Sequence, residues 1–361
     1  MAVDPPSRWA TARMVTARTP RSRATSMVAA AISSSRCASS TSIGMSSTLR
    51  GVDLVANRCH VVTQQRYATL LYLNSAGAAP MPFTFERVGA APLTENATQH
   101  MVRMRDGVRL ATDVYLPEEQ AHGGEAFPAV LVRLPYDKNS RYVYVDRIAR
   151  LFTARGYALV VQDVRGKFRS GGRTLPFLRE PQDGHDSIDW IVHQTWSDGR
   201  VGMFGDSYYG FTQWAAVASQ HPALRAIVPR VTAADFSTIW RPGDRPAPIW
   251  LEGIEYFAHH WVDNDTYEYE LDPSRRPVID QYEQAFEAIG ARSTWFDLMA
   301  PRQAELPTQP GLHPFDARPV PVLHCVGWFD NIGAAHMRDY TELAARPGWD
   351  AVQYLWAGAI D

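Results

Sequence analysis

The regular alternation of short apolar runs with helical stretches is the feature that most constrains the fold of this chain. The apolar runs have the length and content of strands buried on both faces, and they lie at residues 127–134, 157–163, 200–204, 224–229, 321–326 and 352–356. The helical stretches between them lie at 143–155, 183–194, from the 200–204 run to about 220, and at 334–345. Repeated β–α units of this kind predict an α/β fold with a mostly parallel, doubly wound sheet. An alternating stretch at 99–116, interrupted by Asp106-Gly107, predicts a β-hairpin before the first unit.

Two segments depart from this alternation. Residues 1–94 show no usable hydrophobic period, and the first 50 contain one acid against seven arginines and eleven serines. That composition is typical of a disordered extension or an over-extended gene start, and also of an organelle transit peptide. Residues 235–315 are rich in Trp, Tyr, Pro and acids and are interpreted as an inserted, mainly helical segment. We therefore expect a core made of residues 95–234 and 316–361.

Charge and cysteine content exclude several classes of protein. Thirty-six basic and 38 acidic residues give a formal charge of −2, whereas a nucleic-acid-binding surface requires a basic excess. The chain has three cysteines, too few for a disulfide framework at this length, and its apolar runs are far short of the roughly 20 residues of a membrane span. We expect a cytoplasmic protein with no nucleic-acid or membrane partner, a transit-like N-terminus being the alternative.

The segment Gly202-Met-Phe-Gly-Asp-Ser207-Tyr-Tyr-Gly210 carries the strongest chemical signal. A strand ends, Ser207 lies in a tight glycine-rich turn, and a helix begins at once, which is the setting of a nucleophile elbow. The backbone N–H of Tyr208 and the helix N-terminus could then face a developing oxyanion. The usual Gly-x-Ser-x-Gly spacing is not met, because Tyr209 stands at the second glycine position.

Two further loops follow predicted strands. Leu134-Pro-Tyr-Asp-Lys138 comes after the strand at 127–134, where Tyr136 could give a second oxyanion donor through its hydroxyl; a structural Pro-Tyr turn is the alternative. Asp330 follows the strand at 321–326, where a carboxylate could orient a catalytic histidine, although it could equally cap the next helix.

Other candidates are weaker. Four aromatic residues of the insert could line an acyl pocket or could simply form its core: Trp240, Trp250, Phe257 and Trp261. His259-His260 with Asp263 could suggest a metal, but packing is the better interpretation, and Val161 stands where a phosphate-binding loop needs its first glycine. We expect no metal and no cofactor.

Four segments together resemble the cocaine esterase-like, or X-prolyl dipeptidyl-peptidase-like, family of α/β-hydrolases. They are Arg133-Leu-Pro-Tyr-Asp-Lys138, Val161-Gln-Asp-Val-Arg-Gly166, Gly202-Met-Phe-Gly-Asp-Ser-Tyr-Tyr-Gly-Phe-Thr-Gln-Trp214 and Gly327-Trp-Phe-Asp330. The third is the most specific, because its Ser-Tyr-x-Gly spacing is the family's own form of the elbow.

The resemblance implies an α/β-hydrolase fold with a helical cap at 235–315. It also implies roles: Ser207 as nucleophile, Asp330 as the triad acid, and Tyr136 with the N–H of Tyr208 as the oxyanion hole. The family's histidine would be the residue after Asp361, and its C-terminal jelly roll is absent here, so the chain resembles a truncated member. Because a serine without a general base is a poor nucleophile, we expect little or no turnover from these 361 residues.

The expected activity is cleavage of an ester, an amide or a short peptide through an acyl-enzyme. Ile332 and Gly333 stand where ammonium-binding relatives carry acids, which favours an uncharged or aromatic acyl group. X-prolyl dipeptidyl-peptidase activity, acyl transfer and a non-catalytic role stay open, and so does a homo-oligomer.

Overall fold

The computed structural model describes residues 85–118, 126–236, 262, 267–269, 277–299 and 311–360. Its strands are β1 (Phe85–Arg87), β2 (Thr98–Arg103), β3 (Arg109–Tyr115), β4 (Phe127–Leu134), β5 (Ala158–Asp163), β6 (Ser197–Asp206), β7 (Leu224–Arg230), β8 (Tyr267–Tyr269), β9 (Val322–Gly327) and β10 (Gln353–Gly358). Its helices are α1 (Val145–Thr153), α2 (Glu180–Val192), α3 (Ser207–Ala218), α4 (Val278–Ile289), α5 (Thr294–Met299) and α6 (Gly333–Ala345), with short 3₁₀ turns at Pro314–Asp316 and Asp350–Val352.

Eight strands form one sheet in the order β10-β9-β7-β6-β4-β5-β3-β2. The strands from β10 to β5 in this order are all parallel, whereas β3 runs antiparallel to both β5 and β2. The predicted mostly parallel α/β sheet is confirmed, and so is the hairpin, which forms the β2–β3 edge.

Two hydrophobic clusters cover opposite faces of this sheet. Leu131 packs with Ile188 of α2 and Trp214 of α3 in one cluster, while Val130 and Val132 pack with Phe152 of α1 in the other. Every residue of β4 and of β5 is buried. Continuous apolar runs form these central strands because helices exclude water from both faces.

Helix α3 is buried along its length, from Tyr208 to Ala218. A third cluster joins its Tyr208 and Phe211 to Phe286 of α4 and Phe296 of α5. The described part of the segment 235–315 therefore packs directly on the helix that begins at Ser207.

Residues 85–94, which the sequence pattern places with the N-terminal extension, contact the core. Strand β1 pairs antiparallel with β8. The N–H of Ala91 donates to Oδ2 of Asp137 at 2.5 Å, and the carbonyl of Ala91 accepts from Arg169 at 2.6 Å. Backbone groups, which carry no sequence signature, make these contacts, and that explains why the pattern does not reveal them.

We predict that Leu131→Ala lowers the free energy of unfolding by about 2–5 kcal/mol, because it leaves a cavity in a fully buried central strand. Leu116→Ala is the matched control, since this side chain is 37% exposed and should cost much less. Chemical denaturation of both variants measures the difference, and equal losses would contradict the assigned core.

Candidate active site

The junction of β6 and α3 carries Ser207. Strand β6 ends at Asp206 and α3 begins at Ser207, whose φ of 50° lies in the left-handed region, strained for an L-residue. Asp206 makes no capping hydrogen bond to the helix, and its Oδ1 lies 3.0 Å from Nε of Arg230. The strand–turn–helix with a strained serine is the local geometry of a nucleophile elbow.

Two glycines allow the chain to make this turn. Gly205 has a φ of 154°, and a Cβ there would collide with the ring of Tyr209. A Cβ on Gly210 would come within 2.6 Å of the Thr232 side chain. The second glycine is thus needed one position later than in the usual motif, at the point where Thr232 approaches the helix.

Thr232 is a site residue that the sequence pattern does not reveal. It follows β7, and its hydroxyl donates to the carbonyl oxygen of Ser207 at 2.7 Å. This hydrogen bond fixes the strained residue from outside its own turn. Only the adjacency of β7 and β6 brings the two residues together, so no local motif could indicate it.

The structure brings Tyr136 to the serine. Tyr136 is half-buried in the loop after β4, and its hydroxyl is hydrogen-bonded with the side chain of Ser207 and with the backbone N–H of Tyr208. Burial raises the pKa of Tyr136 well above its usual value, despite the opposing effect of these two hydrogen bonds. The phenol therefore stays protonated near neutral pH and can donate to an anion.

A buried lysine holds the loop that carries Tyr136. The Nζ of Lys138 lies 3.1 Å from Oδ2 of Asp113 and 3.7 Å from Oδ2 of Asp163, and all three side chains are excluded from solvent. The N–H of Lys138 also donates to Oδ1 of Asp163 at 2.8 Å. Burial raises the pKa of Asp163 to about 7, although Lys138 acts in the opposite direction.

Asp330 lies in the loop between β9 and α6 and is half-buried. Its Oδ1 accepts from the N–H of Ile332 at 2.8 Å. Ile332 is itself the N-cap residue of α6, so this bond closes a local turn before the helix, and Asp330 is not the N-cap. A Cβ on Gly327 would come within 3.0 Å of Cβ of Asp330 and would collide with the carbonyl of Ile360. The chain that follows β10 therefore passes close beside Asp330.

His336 lies inside α6, as the sequence pattern predicts, and is fully buried. Its Nε2 lies 3.1 Å from Nδ1 of His324, whose Nε2 lies 2.6 Å from Oε1 of Gln353. Burial lowers the pKa of both, that of His324 to about 4. This neutral pair belongs to the packing of β9, β10 and α6.

Two groups of residues singled out in the sequence lie outside the described part of the chain. The first group is the four aromatic candidates for the acyl pocket, Trp240, Trp250, Phe257 and Trp261. The second is the weak metal candidate, His259, His260 and Asp263. Within the part of the chain that the structure describes, no group of three His, Cys, Asp or Glu residues could hold a metal ion. No described helix is long and apolar enough to cross a membrane.

The sheet order and the strained serine between β6 and α3 define the α/β-hydrolase class. The chain matches the X-Pro dipeptidyl-peptidase (S15) family over residues 106–359, and it belongs to that family. The family resemblance predicted from the four motifs is thereby confirmed.

A relative agrees with this membership, and two solved structures agree with the fold. The chain is 44% identical over 141 residues to a cocaine esterase of Rhodococcus sp. (strain MB1 Bresler), a match that covers 38% of this chain and 24% of that esterase. An aminopeptidase from a marine sediment archaeon (Thaumarchaeota) superposes with a TM-score of 0.56 at 24% identity, over 79% of this chain and 51% of the other. An α-amino acid ester hydrolase gives 0.51 at 24% identity, over 79% and 49%. The chain spans about a quarter of the length of the cocaine esterase that it matches.

We predict that Gly210→Ala destabilises the fold by about 1–3 kcal/mol, because the new methyl group meets Thr232 in a packed interior. The sign is informative, since alanine in place of glycine ordinarily stabilises a helix. Gly89→Ala, where nothing lies within 4 Å of the new Cβ, is the control. Thermal denaturation compares the two, and a stable Gly210→Ala would refute the close approach.

Proposed function

We propose that this protein is a serine hydrolase that cleaves esters or amides through an acyl-enzyme. The observation that carries the proposal is that the Tyr136 hydroxyl is hydrogen-bonded both to the Ser207 side chain and to the N–H of Tyr208. A nucleophile and two donors at one point are what acyl transfer needs. The names of the relatives, an esterase and peptidases, support the same chemistry.

In the proposed reaction Ser207 Oγ attacks the substrate carbonyl carbon and loses its proton to a general base. The carbonyl π electrons move to oxygen, and that oxyanion accepts hydrogen bonds from the Tyr136 hydroxyl and the Tyr208 N–H. Collapse of the tetrahedral intermediate expels the alcohol or amine with a proton from the base, leaving the acyl group on Ser207. Water then attacks the acyl carbon and gives a proton to the base. Collapse of this second tetrahedral intermediate breaks the bond to Ser207 Oγ, which takes the proton back from the base, and the acid is released.

Asp330 is the proposed acid of the triad. We place the base on the chain that follows β10, because residue Ile360 already passes beside Gly327 and Asp330. His324 and His336 do not suit this role, because they are buried and paired with each other, with lowered pKa values.

The segment 235–315 is proposed as a cap over the acyl site. Its α4 and α5 pack on Tyr208 and Phe211 of the helix that starts at the nucleophile, which supports this position. The substrate is proposed to be a small ester, an amide or a short peptide. Cleavage after an X-Pro dipeptide is the second candidate, favoured by the description of the family.

We predict that Ser207→Ala abolishes labelling by an activated phosphonate, because Oγ is the atom that would be phosphonylated. Labelling is followed by mass spectrometry of the intact protein and of its peptides. Ser219→Ala, a change of another part-buried serine just past the end of α3, serves as the control and should label normally. Labelling that survives in Ser207→Ala would refute the assigned nucleophile.

In a chain extended to carry the proposed base, we predict that Tyr136→Phe lowers kcat for a chromogenic ester by about 10²–10³-fold, the usual effect of losing one oxyanion donor. The ring stays, so its packing against Tyr209 should be retained. Tyr354→Phe removes a phenol hydroxyl from β10 and should leave kcat unchanged. Similar kcat values for the two variants would exclude a donor role for Tyr136.

The position proposed for the base has its own test. The 361-residue chain is compared with a chain extended by the histidine-bearing segment and jelly roll that the family resemblance implies. We expect the added histidine-bearing segment to raise ester turnover by at least about 10⁴-fold, because the base supplies most of the rate of a triad. Equal activity in the two chains would refute the proposal and indicate that the base lies within these 361 residues.

A further inference from the structure

The side chain of Tyr208 points away from the reaction that its backbone N–H is proposed to serve. It is 1% exposed, and its hydroxyl oxygen accepts from the N–H of Phe177 at 2.8 Å. The same hydroxyl donates to Oε1 of Glu180 at 2.9 Å. These two hydrogen bonds fix the hydroxyl of Tyr208. Because the ring is rigid, they also restrict the orientation of the Tyr208 backbone.

Glu180 is in turn paired with a buried arginine. Its Oε2 accepts from Nη1 of Arg133 at 2.7 Å, and the two side chains are 5% and 0% exposed. The Nε of Arg133 donates to Oε1 of Gln162 at 2.8 Å. An ion pair removed from water in this way is rarely a net source of stability, because desolvation of both charges offsets their attraction. Its presence beside the elbow therefore suggests a positional role.

Arg133 connects both halves of the proposed oxyanion hole. It lies on β4, three residues before Tyr136, and its carbonyl accepts from the hydroxyl of Thr212 on α3 at 3.1 Å. Through Glu180 its side chain reaches Tyr208 in the first turn of α3. One buried chain of contacts thus ties the strand that leads to Tyr136 to the helix that presents Tyr208.

We propose that Glu180, held by Arg133, is a positioning residue that aims the backbone N–H of Tyr208 at the oxyanion by fixing the Tyr208 hydroxyl. Neither Glu180 nor Arg133 is assigned contact with the substrate. This inference rests on the proposed function, since it needs an oxyanion to be stabilised at Ser207.

The test uses the 361-residue chain or the extended chain described under the proposed function, whichever turns over the chromogenic ester. Tyr208→Phe keeps the backbone N–H and the aromatic ring but removes the hydroxyl that bonds to Phe177 and Glu180. It should lower kcat by about 10-fold or more with KM within about twofold, since small displacements of reacting groups are costly. Tyr115→Phe is the matched control: it also removes a buried phenol hydroxyl with a hydrogen bond, here 2.6 Å to Thr94, and should leave kcat unchanged.

A second variant separates positioning from stability. Glu180→Gln keeps an oxygen that can accept from Tyr208 but removes the nearer carboxylate of Arg133, leaving only that of Asp183 at 4.0 Å. We expect Glu180→Gln to lower thermal stability more than Tyr208→Phe does. We expect it to lower kcat less, because the Tyr208 hydroxyl keeps an acceptor. In the double variant Tyr136→Phe/Tyr208→Phe, the kcat losses should be smaller than the product of the single losses, because both act on one oxyanion.

The outcomes separate the two proposals. If kcat falls in proportion to thermal stability across Tyr115→Phe, Tyr208→Phe and Glu180→Gln, Glu180 is merely structural and the inference is wrong. Unchanged kcat in Tyr208→Phe overturns it as well, while leaving the serine hydrolase intact. If neither chain turns over an ester and Ser207 is not labelled by the phosphonate, the proposed function itself fails and this inference with it.

Discussion

The parallel pairing of β4 with β6 is the interaction on which the site depends. Both strands lie at the centre of the sheet, and their carboxyl ends meet at one edge, so that the loop after β4 and the turn after β6 lie side by side. This brings Tyr136 to Ser207, although 71 positions separate them in the sequence. A polar edge above a dry core is a general consequence of parallel sheets covered by helices.

Buried charge holds the loops at that edge. Lys138 with Asp113 and Asp163 fixes the loop of Tyr136, and Arg133 with Glu180 reaches Tyr208. Such pairs contribute little net stability, but removing one partner leaves an unpaired charge in an apolar interior. Several motif residues that carry the family resemblance thus serve to hold the site in place, and only a few of them meet at the proposed reacting centre.

The sequence predicts most of the core elements and part of the site. Strand β4 has the predicted bounds, and α6 begins one residue before its expected start. These agree because apolar periodicity follows from which faces of a strand or helix are buried. The packing of residues 85–94 was not predicted, because it rests on backbone hydrogen bonds of Ala91 to the core and on the pairing of β1 with β8 of the segment 235–315.

The sequence by itself determined the α/β class, the elbow at Ser207 and the family, because local spacing and hydrophobic periodicity encode all three. The tertiary structure alone decided which distant groups support the elbow. Thr232 on the Ser207 carbonyl, the glycine shifted to position 210, and Glu180 under Tyr208 depend on which strands and helices become neighbours. The physical reason is that a hydrogen bond between segments far apart in the chain leaves no periodic trace in either segment.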